Sequence, residues 1–295
     1  MLIIKFLIIF RWNFNNGDKM KEFKSFYKEV GGGEGDRCKY PIRLDMYGCG
    51  CQHDCPYCYA KGLLDFRGLW DKVEPRVADK DKVLRRLDKI SSGTVLRLGG
   101  MTDPFQPMEK EVGLNRWLID ELNKRGIGYL IVTKGDYLDG YVGDILDKKL
   151  AHIQISVTST KDDLNLEPNA PLPSKRIRCA EALQKMGFDV QLRLSPYIQE
   201  LIEPDVILNA KVDKVIIEFL RINSRLVKDM PWLDTSRYTV KSGGYYNMEL
   251  ADKLRVIDIY IRSKRVSVCE DVPEHWVYFR DNVNPNKNDC CDLND

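Results

Sequence analysis

Apolar residues follow two alternating patterns from about residue 41 onward. Short apolar runs typical of buried strands are separated by segments whose apolar residues recur every three or four positions, as on one face of a helix. The predicted strands are residues 42–47, 94–98, 129–133, 153–158, 190–194 and 215–220, with 265–269 as one further strand. The predicted helices are residues 79–90, 114–124, 142–148, a helix that begins at Ser174 and ends at Gly187, 204–210 and 248–261. Repeated strand–helix units predict a parallel sheet with helical crossovers.

About six such units predict an α/β fold with a partial (β/α)6 barrel. A full eight-unit barrel typically needs about 250 residues, which would leave few of the 295 residues for other segments. We expect the barrel to occupy residues 20–263. Residues 264–295, which end in NPNKNDCCDLND, are predicted to form a short, irregular C-terminal extension that contains cysteines.

The first nineteen residues are predicted to be a leader outside the barrel, either mistranslated or disordered. The run MLIIKFLIIF is far shorter than the roughly 20 apolar residues that span a bilayer, and no small-residue cleavage site follows it. A packed strand or helix, a weak membrane anchor and translated upstream DNA are the three explanations. We favour the last, because Met20 opens an ordinary polar start, MKEFKSFY. No stable membrane insertion is expected.

Composition is that of a folded protein, with 43% apolar and 31% charged residues. The net charge of +2 favours neither nucleic acid nor membrane binding for the chain as a whole, although a local basic groove remains compatible with it. Nine cysteines, an odd number, argue against a fully paired disulfide framework. We therefore expect a reducing, cytoplasmic location.

Three cysteines lie within eight residues, in the spacing C-x3-C-x2-C of Cys51, Cys55 and Cys58. Three thiolates on one tight loop can hold three irons of a [4Fe–4S] cube and leave the fourth iron open to a substrate or cosubstrate. A zinc site completed by His53 or Cys49, and plain structural cysteines, are the alternatives. The cysteine loop follows the first predicted strand, which favours a functional site over structural cysteines, because ligands gather at the carboxyl ends of parallel strands.

This loop, with Tyr57 before the last cysteine, resembles the signature of the radical S-adenosylmethionine (radical SAM) superfamily. The resemblance implies a partial barrel of the radical SAM type and a [4Fe–4S] cluster on the three cysteines, with S-adenosylmethionine chelating the open iron. It also implies reductive cleavage to a 5′-deoxyadenosyl radical that abstracts a substrate hydrogen. An external one-electron donor of the flavodoxin or ferredoxin type would supply the electron.

Further segments narrow the resemblance to the spore photoproduct lyase-like branch, whose members are often labelled DNA repair photolyases. It covers roughly residues 40–225 and rests on GGMTDPFQPME from Gly99, TK from Thr133, SVTS from Ser156, EPNAP from Glu167 and RLSP from Arg193. None of these segments identifies the substrate. A lyase for thymine dimers in DNA is one alternative, and peptides, nucleosides or other small molecules are others. A non-catalytic zinc or iron–sulfur protein is the alternative from another class.

The resemblance and the strand ends together predict the residues that bind S-adenosylmethionine. Backbone groups of Gly99 and Gly100 can approach its amino group, although a simple turn would also explain these glycines. Lys134 or Arg193 can pair with its carboxylate, or can be a solvated charge. Ser156 and Thr158 can hydrogen-bond its ribose, or can bond only the backbone. The full predicted set is Tyr57, Gly99, Gly100, Thr102, Asp103, Lys134, Ser156, Thr158 and Arg193.

The remaining cysteines leave three roles open. Cys269, Cys290 and Cys291, together with Cys38, could be inert, could form an auxiliary metal site, or could include a thiol that donates a hydrogen atom to a substrate radical. Adjacent cysteines are awkward ligands of one metal, because successive side chains tend to diverge. Cys179 lies in a predicted helix and is expected to pack as a small apolar residue.

Overall fold

A parallel β-sheet organises the residues that the computed structural model describes, which are 22–23, 27–29, 36–72, 74–164 and 166–293. The strands are β1 (Glu22–Phe23), β2 (Tyr27–Glu29), β3 (Ile42–Leu44), β4 (Tyr47–Gly48), β5 (Arg76–Ala78), β6 (Val95–Leu98), β7 (Gly128–Thr133), β8 (Ala151–Ser156), β9 (Asp189–Tyr197), β10 (Lys214–Phe219), β11 (Tyr238–Ser242), β12 (Tyr245–Met248) and β13 (Arg265–Val268). The main sheet has the order β13-β10-β9-β8-β7-β6-β3-β2. Its neighbours from β3 to β13 are all parallel, and β2 pairs with β3 antiparallel.

Helices alternate with most of these strands along the chain, as parallel crossovers require, and a further helix follows the last strand. They are α1 (Tyr59–Asp65), α2 (Lys80–Leu87), α3 (Glu109–Val112), α4 (Leu114–Arg125), α5 (Leu138–Tyr141), α6 (Pro173–Lys185), α7 (Pro204–Asn209), α8 (Ser224–Asp229), α9 (Leu250–Tyr260) and α10 (Pro273–Asn282). The predicted α/β class and partial barrel are confirmed. None of the described helices is both long and apolar enough to cross a membrane.

The structure differs from the predicted elements at three places. The predicted strand 42–47 divides into β3 and β4, because the chain leaves the main sheet after Leu44 and β4 pairs instead with β5. The predicted helix 142–148 is wrong: α5 ends at Tyr141 and turns follow. Val142 and Leu146 are buried, and turns satisfy their four-residue spacing as well as a helix would.

The C-terminal extension is the third difference, because it contains a helix that was not predicted, α10. The predicted strand 265–269 is present as β13, which pairs in parallel with β10 as a seventh parallel strand. Val266 and Val268 are buried, so a short apolar alternation was enough to join an existing sheet edge. The predicted leader, residues 1–19, lies outside the described residues, and the predicted domain boundaries stay predictions.

The central strands are buried on both faces, yet the two faces differ in chemistry. All six residues of β8 are buried; Ile153 and Ile155 alternate with Gln154 and Ser156. The polar face continues across the sheet, since the Gln154 side chain donates to Gln191 at 3.0 Å and accepts from Arg193 at 2.8 Å. Successive side chains of a strand point to opposite faces, so the apolar face packs outward on the helices and the polar face lines the barrel interior.

The segment just before β3 and the last described residues meet against this inner face. The Tyr40 hydroxyl donates to Asp289 Oδ2 at 2.6 Å, and Lys214 Nζ donates to the Asp292 carbonyl at 2.9 Å. Tyr40 and Leu293 are buried and pack in one apolar cluster with Leu130 of β7. Residues before β3 and after α10 therefore close part of the open barrel from within.

An isoleucine-to-alanine substitution should destabilise the protein far more in the buried strand β8 than on the exposed face of α9. Ile153→Ala, at a side chain that is 1% exposed, should lower the free energy of unfolding by about 2–5 kcal/mol because it leaves a cavity. Ile259→Ala, at a position on α9 that is 39% exposed, should change it by no more than about 0.5 kcal/mol. Urea denaturation followed by circular dichroism measures both. Equal losses would contradict the assignment of β8 to the core.

Candidate active site

A cavity of about 570 Å³ lies at the carboxyl ends of the parallel strands. All three cysteines of the C-x3-C-x2-C loop line it, and so do eight of the nine residues predicted to bind S-adenosylmethionine. Those eight are Tyr57, Gly99, Gly100, Thr102, Asp103, Lys134, Ser156 and Arg193. The tertiary structure thus brings together side chains from β6, β7, β8 and β9 with the loop before α1. Thr158, the ninth, is buried beside the cavity.

The cysteine loop leaves β4 and ends where Cys58 caps α1, its Sγ accepting from the Lys61 amide at 3.5 Å. A Cβ on Gly50 would lie 1.6 Å from the Asp71 carbonyl oxygen, so only glycine allows the loop to pack there. Burial raises the pKa of Cys51 and of Cys55, because an apolar surrounding disfavours a thiolate. A bound cation is what would favour the ionised thiols at this place.

The donor set of this loop fits an iron–sulfur cube. The three thiols face one cavity, and a cube attaches each thiolate to a different iron. Within the described part of the chain, no three thiol, imidazole or carboxylate groups surround one point as ligands of a single ion do. His53, one predicted fourth zinc ligand, has its Nδ1 3.4 Å from the Asp103 carboxylate.

Tyr57 is held by buried partners below the loop. Its hydroxyl hydrogen-bonds with Thr158 Oγ1 at 3.0 Å and with the Glu167 carboxylate. Thr158 is therefore engaged by Tyr57, and also donates to the Ser195 carbonyl at 3.0 Å. Lys134 Nζ lies 5.5 Å from the centre of the Tyr57 ring, so a cation also faces this aromatic side chain.

Glu167 carries the counter-charge for a buried arginine. Arg176 of α6, 1% exposed, pairs with Glu167 and donates to the Ser156 carbonyl at 2.8 Å. Lys134 Nζ is 4.0 Å from the same carboxylate. This ion pair links α6 and the end of β8 to Tyr57, so it fixes one wall of the cavity.

Thr102 and Asp103 hold the loop after β6 through their side chains. Thr102 Oγ1 donates to the Tyr47 carbonyl at 2.7 Å, while Asp103 accepts from Thr133 Oγ1 at 2.5 Å and from the Lys134 amide at 2.7 Å. Burial opposes ionisation of Asp103, but nearby His53 and these hydrogen bonds hold its pKa at about 2. These contacts match the turn-forming alternative; a role with S-adenosylmethionine stays a prediction.

Neighbouring atoms lie close to Gly99 and Gly100 and leave little room for a side chain. Gly99 has φ +92°, and a Cβ there would lie 2.4 Å from the Val132 carbonyl oxygen. The Gly100 amide donates to Asp45 Oδ1 at 2.7 Å, and the neighbouring Met101 amide donates to Asp45 Oδ2 at 2.8 Å. These two amides therefore bind a buried carboxylate of the chain itself.

Arg193 is 2% exposed and paired within the protein. Its guanidinium donates to Gln154 and to Glu218, whose carboxylate also accepts from Ser195 Oγ at 2.7 Å. Burial opposes ionisation of Glu218, but the charge of Arg193 lowers its pKa to about 2. Lys134 and Arg193 were the two predicted partners of the S-adenosylmethionine carboxylate. Unlike the Arg193 guanidinium, the Lys134 ammonium is not in a close ion pair, because its Nζ lies 4.0 Å from the Glu167 carboxylate.

Sequence reasoning missed five charged residues of this site. Asp45 holds the glycine loop, Glu167 and Arg176 hold Tyr57, and Arg43 and Arg97 line the cavity side by side on β3 and β6. For Arg43 and Arg97 the available signal was a charged residue within an apolar strand, as in the sequences Ile-Arg-Leu and Val-Leu-Arg-Leu. Glu167 begins the EPNAP segment that carried the resemblance, but no role was assigned to it. Only the register of the sheet shows that such residues share one face.

The other cysteines divide into two groups. Cys179 is buried in α6, where its thiol contacts Asp139 at 3.6 Å, which confirms the prediction that it packs. The remaining thiols of interest line the same cavity as the cysteine loop. They are Cys38, Cys269, Cys290 and Cys291.

Comparison with known proteins defines the class. The radical SAM superfamily model matches residues 46–198, just over half of the chain. The chain therefore belongs to the radical SAM superfamily.

Among curated relatives, an uncharacterized protein of Methanocaldococcus jannaschii is 30% identical over 169 residues, which is 54% of this chain and 61% of that protein. An uncharacterized protein of Mycobacterium tuberculosis is 27% identical over 175 residues, or 55% of this chain and 51% of that protein. The chain thus spans between half and two thirds of the length of these relatives.

Solved structures support the same fold. A cysteine-to-serine mutant of spore photoproduct lyase matches with a TM-score of 0.62 and 14% identity, covering 84% of this chain and 80% of that one. Spore photoproduct lyase complexed with dinucleoside spore photoproduct matches with a TM-score of 0.59 and 13% identity, covering 79% and 78%. SuiB of Streptococcus suis bound to S-adenosylmethionine matches with a TM-score of 0.50 and 14% identity, covering 81% and 52%. Identities this low establish a shared fold only.

Removing one charge of the buried Arg176–Glu167 pair should destabilise the protein more than removing both. Glu167→Gln should lower the free energy of unfolding by about 3–5 kcal/mol, because it leaves a buried guanidinium without a counter-charge. The double variant Glu167→Gln/Arg176→Met removes both charges and should lose less. Urea denaturation measures all variants. Asp144→Asn, which breaks an exposed pair with Arg116, is the control and should change little; a double variant worse than the single would contradict the prediction.

Asp45 predicts a pH-dependent stability. Burial raises its pKa to about 6, although two backbone amides lower it. Because the folded-state pKa exceeds the unfolded value near 4, the proton on Asp45 favours folding below about pH 4, and this contribution is lost as pH rises through 6. The free energy of unfolding relative to Asp45→Asn should therefore fall by on the order of 3 kcal/mol between pH 4 and 7. Parallel pH profiles of the two proteins would refute it.

Proposed function

We propose that this chain is a radical SAM enzyme whose Cys51, Cys55 and Cys58 hold a [4Fe–4S] cluster. When bound, the cluster supplies one electron for cleavage of S-adenosylmethionine to methionine and a 5′-deoxyadenosyl radical, which abstracts a hydrogen atom from a substrate. The observation that carries the proposal is the convergence of three thiols from one loop on a cavity at the carboxyl edge of the parallel strands, within the segment that matches the superfamily.

The residues of the chain would bind and orient S-adenosylmethionine in this cavity. We assign its carboxylate to Lys134, because Arg193 is already paired with Glu218 and Gln154. Ser156 lines the cavity at the end of β8 and is the remaining candidate for the ribose, since Thr158 is engaged by Tyr57. Tyr57, fixed from below, would then form a wall of the S-adenosylmethionine pocket and exclude water.

The loop of Gly99, Gly100 and Met101 would contribute mainly by its shape. The Gly100 and Met101 amides already donate to Asp45, so the space that the two glycines leave free matters more than their hydrogen bonds. Thr102 and Asp103 would position this loop from behind. An external one-electron donor of the flavodoxin or ferredoxin type and a reducing, cytoplasmic setting complete the proposal, consistent with nine free thiols.

A DNA photoproduct lyase is the second candidate function. Aromatic side chains lie at the cavity, where Phe66 is 92% exposed and Tyr245 has the Arg221 guanidinium 5.0 Å from its ring centre. Such stacking and cationic groups are those that bind unpaired bases. This candidate expects tighter binding to an oligonucleotide with a thymine dimer than to the undamaged one. Equal affinities would favour a substrate other than DNA lesions.

The cysteine cluster predicts a strict requirement for each of three thiols. Cys51→Ala, Cys55→Ala and Cys58→Ala should each abolish formation of 5′-deoxyadenosine from S-adenosylmethionine after anaerobic reconstitution and reduction with dithionite. Chromatographic quantification of 5′-deoxyadenosine measures it. Cys179→Ala, which changes a buried thiol outside the cavity, is the matched control and should retain activity.

Two results would overturn the proposal. Single loop variants that keep full cleavage would show that the site assignment is wrong. Oxygen-free protein that carries zinc alone, without the visible absorbance that dithionite bleaches, would favour the non-catalytic alternative.

A further inference from the structure

A second group of thiols lies in the cavity, outside the cysteine loop. It consists of Cys38, Cys269, Cys290 and Cys291, and we call it the four-thiol group. All four thiols are free, and they come from three separate parts of the chain. Apolar packing accounts for the burial of Cys291 beside Leu130, but it does not require four thiols from three parts of the chain to line one cavity.

Three members of the four-thiol group share one packed cluster. Cys291 is buried in it, and Cys38 and Cys290 pack against it, so the adjacent side chains of Cys290 and Cys291 do not diverge as the sequence suggested. Cys269, directly after β13, lines the same cavity. The four thiols therefore face one region of the cavity wall.

The backbone carrying these thiols is fixed in place. Asp289, bound by Tyr40 at 2.6 Å, accepts from the amide of Cys291 at 2.9 Å and from that of Leu293 at 3.2 Å. The Cys269 amide donates to the Ile217 carbonyl at 2.9 Å. The segments that bring the thiols together are thus pinned to each other and to the sheet, as a preorganised ligand site requires.

The charge around the four-thiol group suits an anionic occupant. Arg97 lines the same cavity as the four thiols, as does Arg193, which is paired with Glu218. The buried Nε of Arg97 has no hydrogen-bond partner among the residues that the structure describes. A cluster held by four thiolates carries net negative charge, and the Arg97 guanidinium would compensate part of it.

We propose that Cys38, Cys269, Cys290 and Cys291 bind a second iron–sulfur cluster, with a protein thiolate on each of its irons. The proposal does not depend on the function assigned to the cysteine loop. Thiolates are the usual ligands of such clusters, and each can sit on a different iron. Full coordination by the chain leaves no open iron, so this site would store or relay an electron and would not bind S-adenosylmethionine. It also accounts for these thiols without assigning Cys269, Cys290 or Cys291 as hydrogen-atom donors.

The test compares iron and acid-labile sulfide in three full-length proteins reconstituted anaerobically with iron and sulfide. The unaltered chain should contain about eight irons. The loop variant Cys51→Ala/Cys55→Ala/Cys58→Ala and the four-thiol variant Cys38→Ala/Cys269→Ala/Cys290→Ala/Cys291→Ala should each contain about four. Cys179→Ala is the matched control and should match the unaltered chain. Cys38→Ala alone, which leaves the sheet untouched, should also lose the second cluster if the larger variant fails to fold.

Electron paramagnetic resonance of the reduced variants adds a readout that does not use activity. S-adenosylmethionine should change the spectrum of the four-thiol variant and leave that of the loop variant unchanged, because only the loop cluster has an open iron. A loop variant that binds no iron, or that binds zinc in its place, overturns the second cluster while leaving the proposed function standing. A four-thiol variant that keeps about eight irons overturns it as well.

Discussion

A polar inner face buried on a parallel sheet is the constraint on which the rest of this structure depends. β8 and β9 have no solvent-exposed face to which a charge could turn, yet Arg193 lies within them. A charge removed from water is tolerated only when it is paired and hydrogen-bonded. The contacts of Arg193 with Gln154 and Glu218 meet that requirement and set the register of side chains from β8 to β10.

The same requirement shapes the cavity at the top of the sheet. Asp45 is buried and finds its partners in the amides after Gly99, while Glu167 finds Arg176 and Tyr57. The contacts of Asp45 with Gly100 and of Tyr57 with Glu167 join segments far apart in the chain, so the loops at the carboxyl ends of the strands are held firmly. The proposed radical reaction would need such rigidity, because the reactive carbon would have to meet one substrate hydrogen and water would have to stay out.

Closure of the open barrel links this architecture to the four-thiol group. The sheet has an open side between its first and last strands, and the chain's described ends cover part of the inner face through Tyr40 and Asp289. The residues that provide this cover also bring Cys38 and Cys291 into the cavity. The same segments thus shield the inner face from water and carry thiols that the proposed second cluster would use.

Much of the fold and the centre of the site could be predicted from the sequence. Strand and helix periodicity indicated the parallel sheet, because burial on both faces leaves continuous apolar runs. Local spacing identified the cysteine loop, because three ligands within eight residues need no tertiary information. Periodicity failed at residues 142–148, where turns bury Val142 and Leu146 as a helix would, and it missed α10, where His275 and Phe279 are the buried residues.

The chain itself therefore determined the class of fold and three thiols of its principal site, since both are written in short-range patterns. Tertiary structure alone decided which carboxylate each buried arginine pairs with and that Thr158 hydrogen-bonds with Tyr57. It also decided that four cysteines from distant parts of the chain line one cavity. The physical reason is that these contacts depend on tertiary folding: even Glu167 and Arg176, which are near in sequence, lie in different elements, and Cys38 and Cys291 are at opposite ends of the described chain. Their proximity follows from strand order and register, which no local pattern encodes.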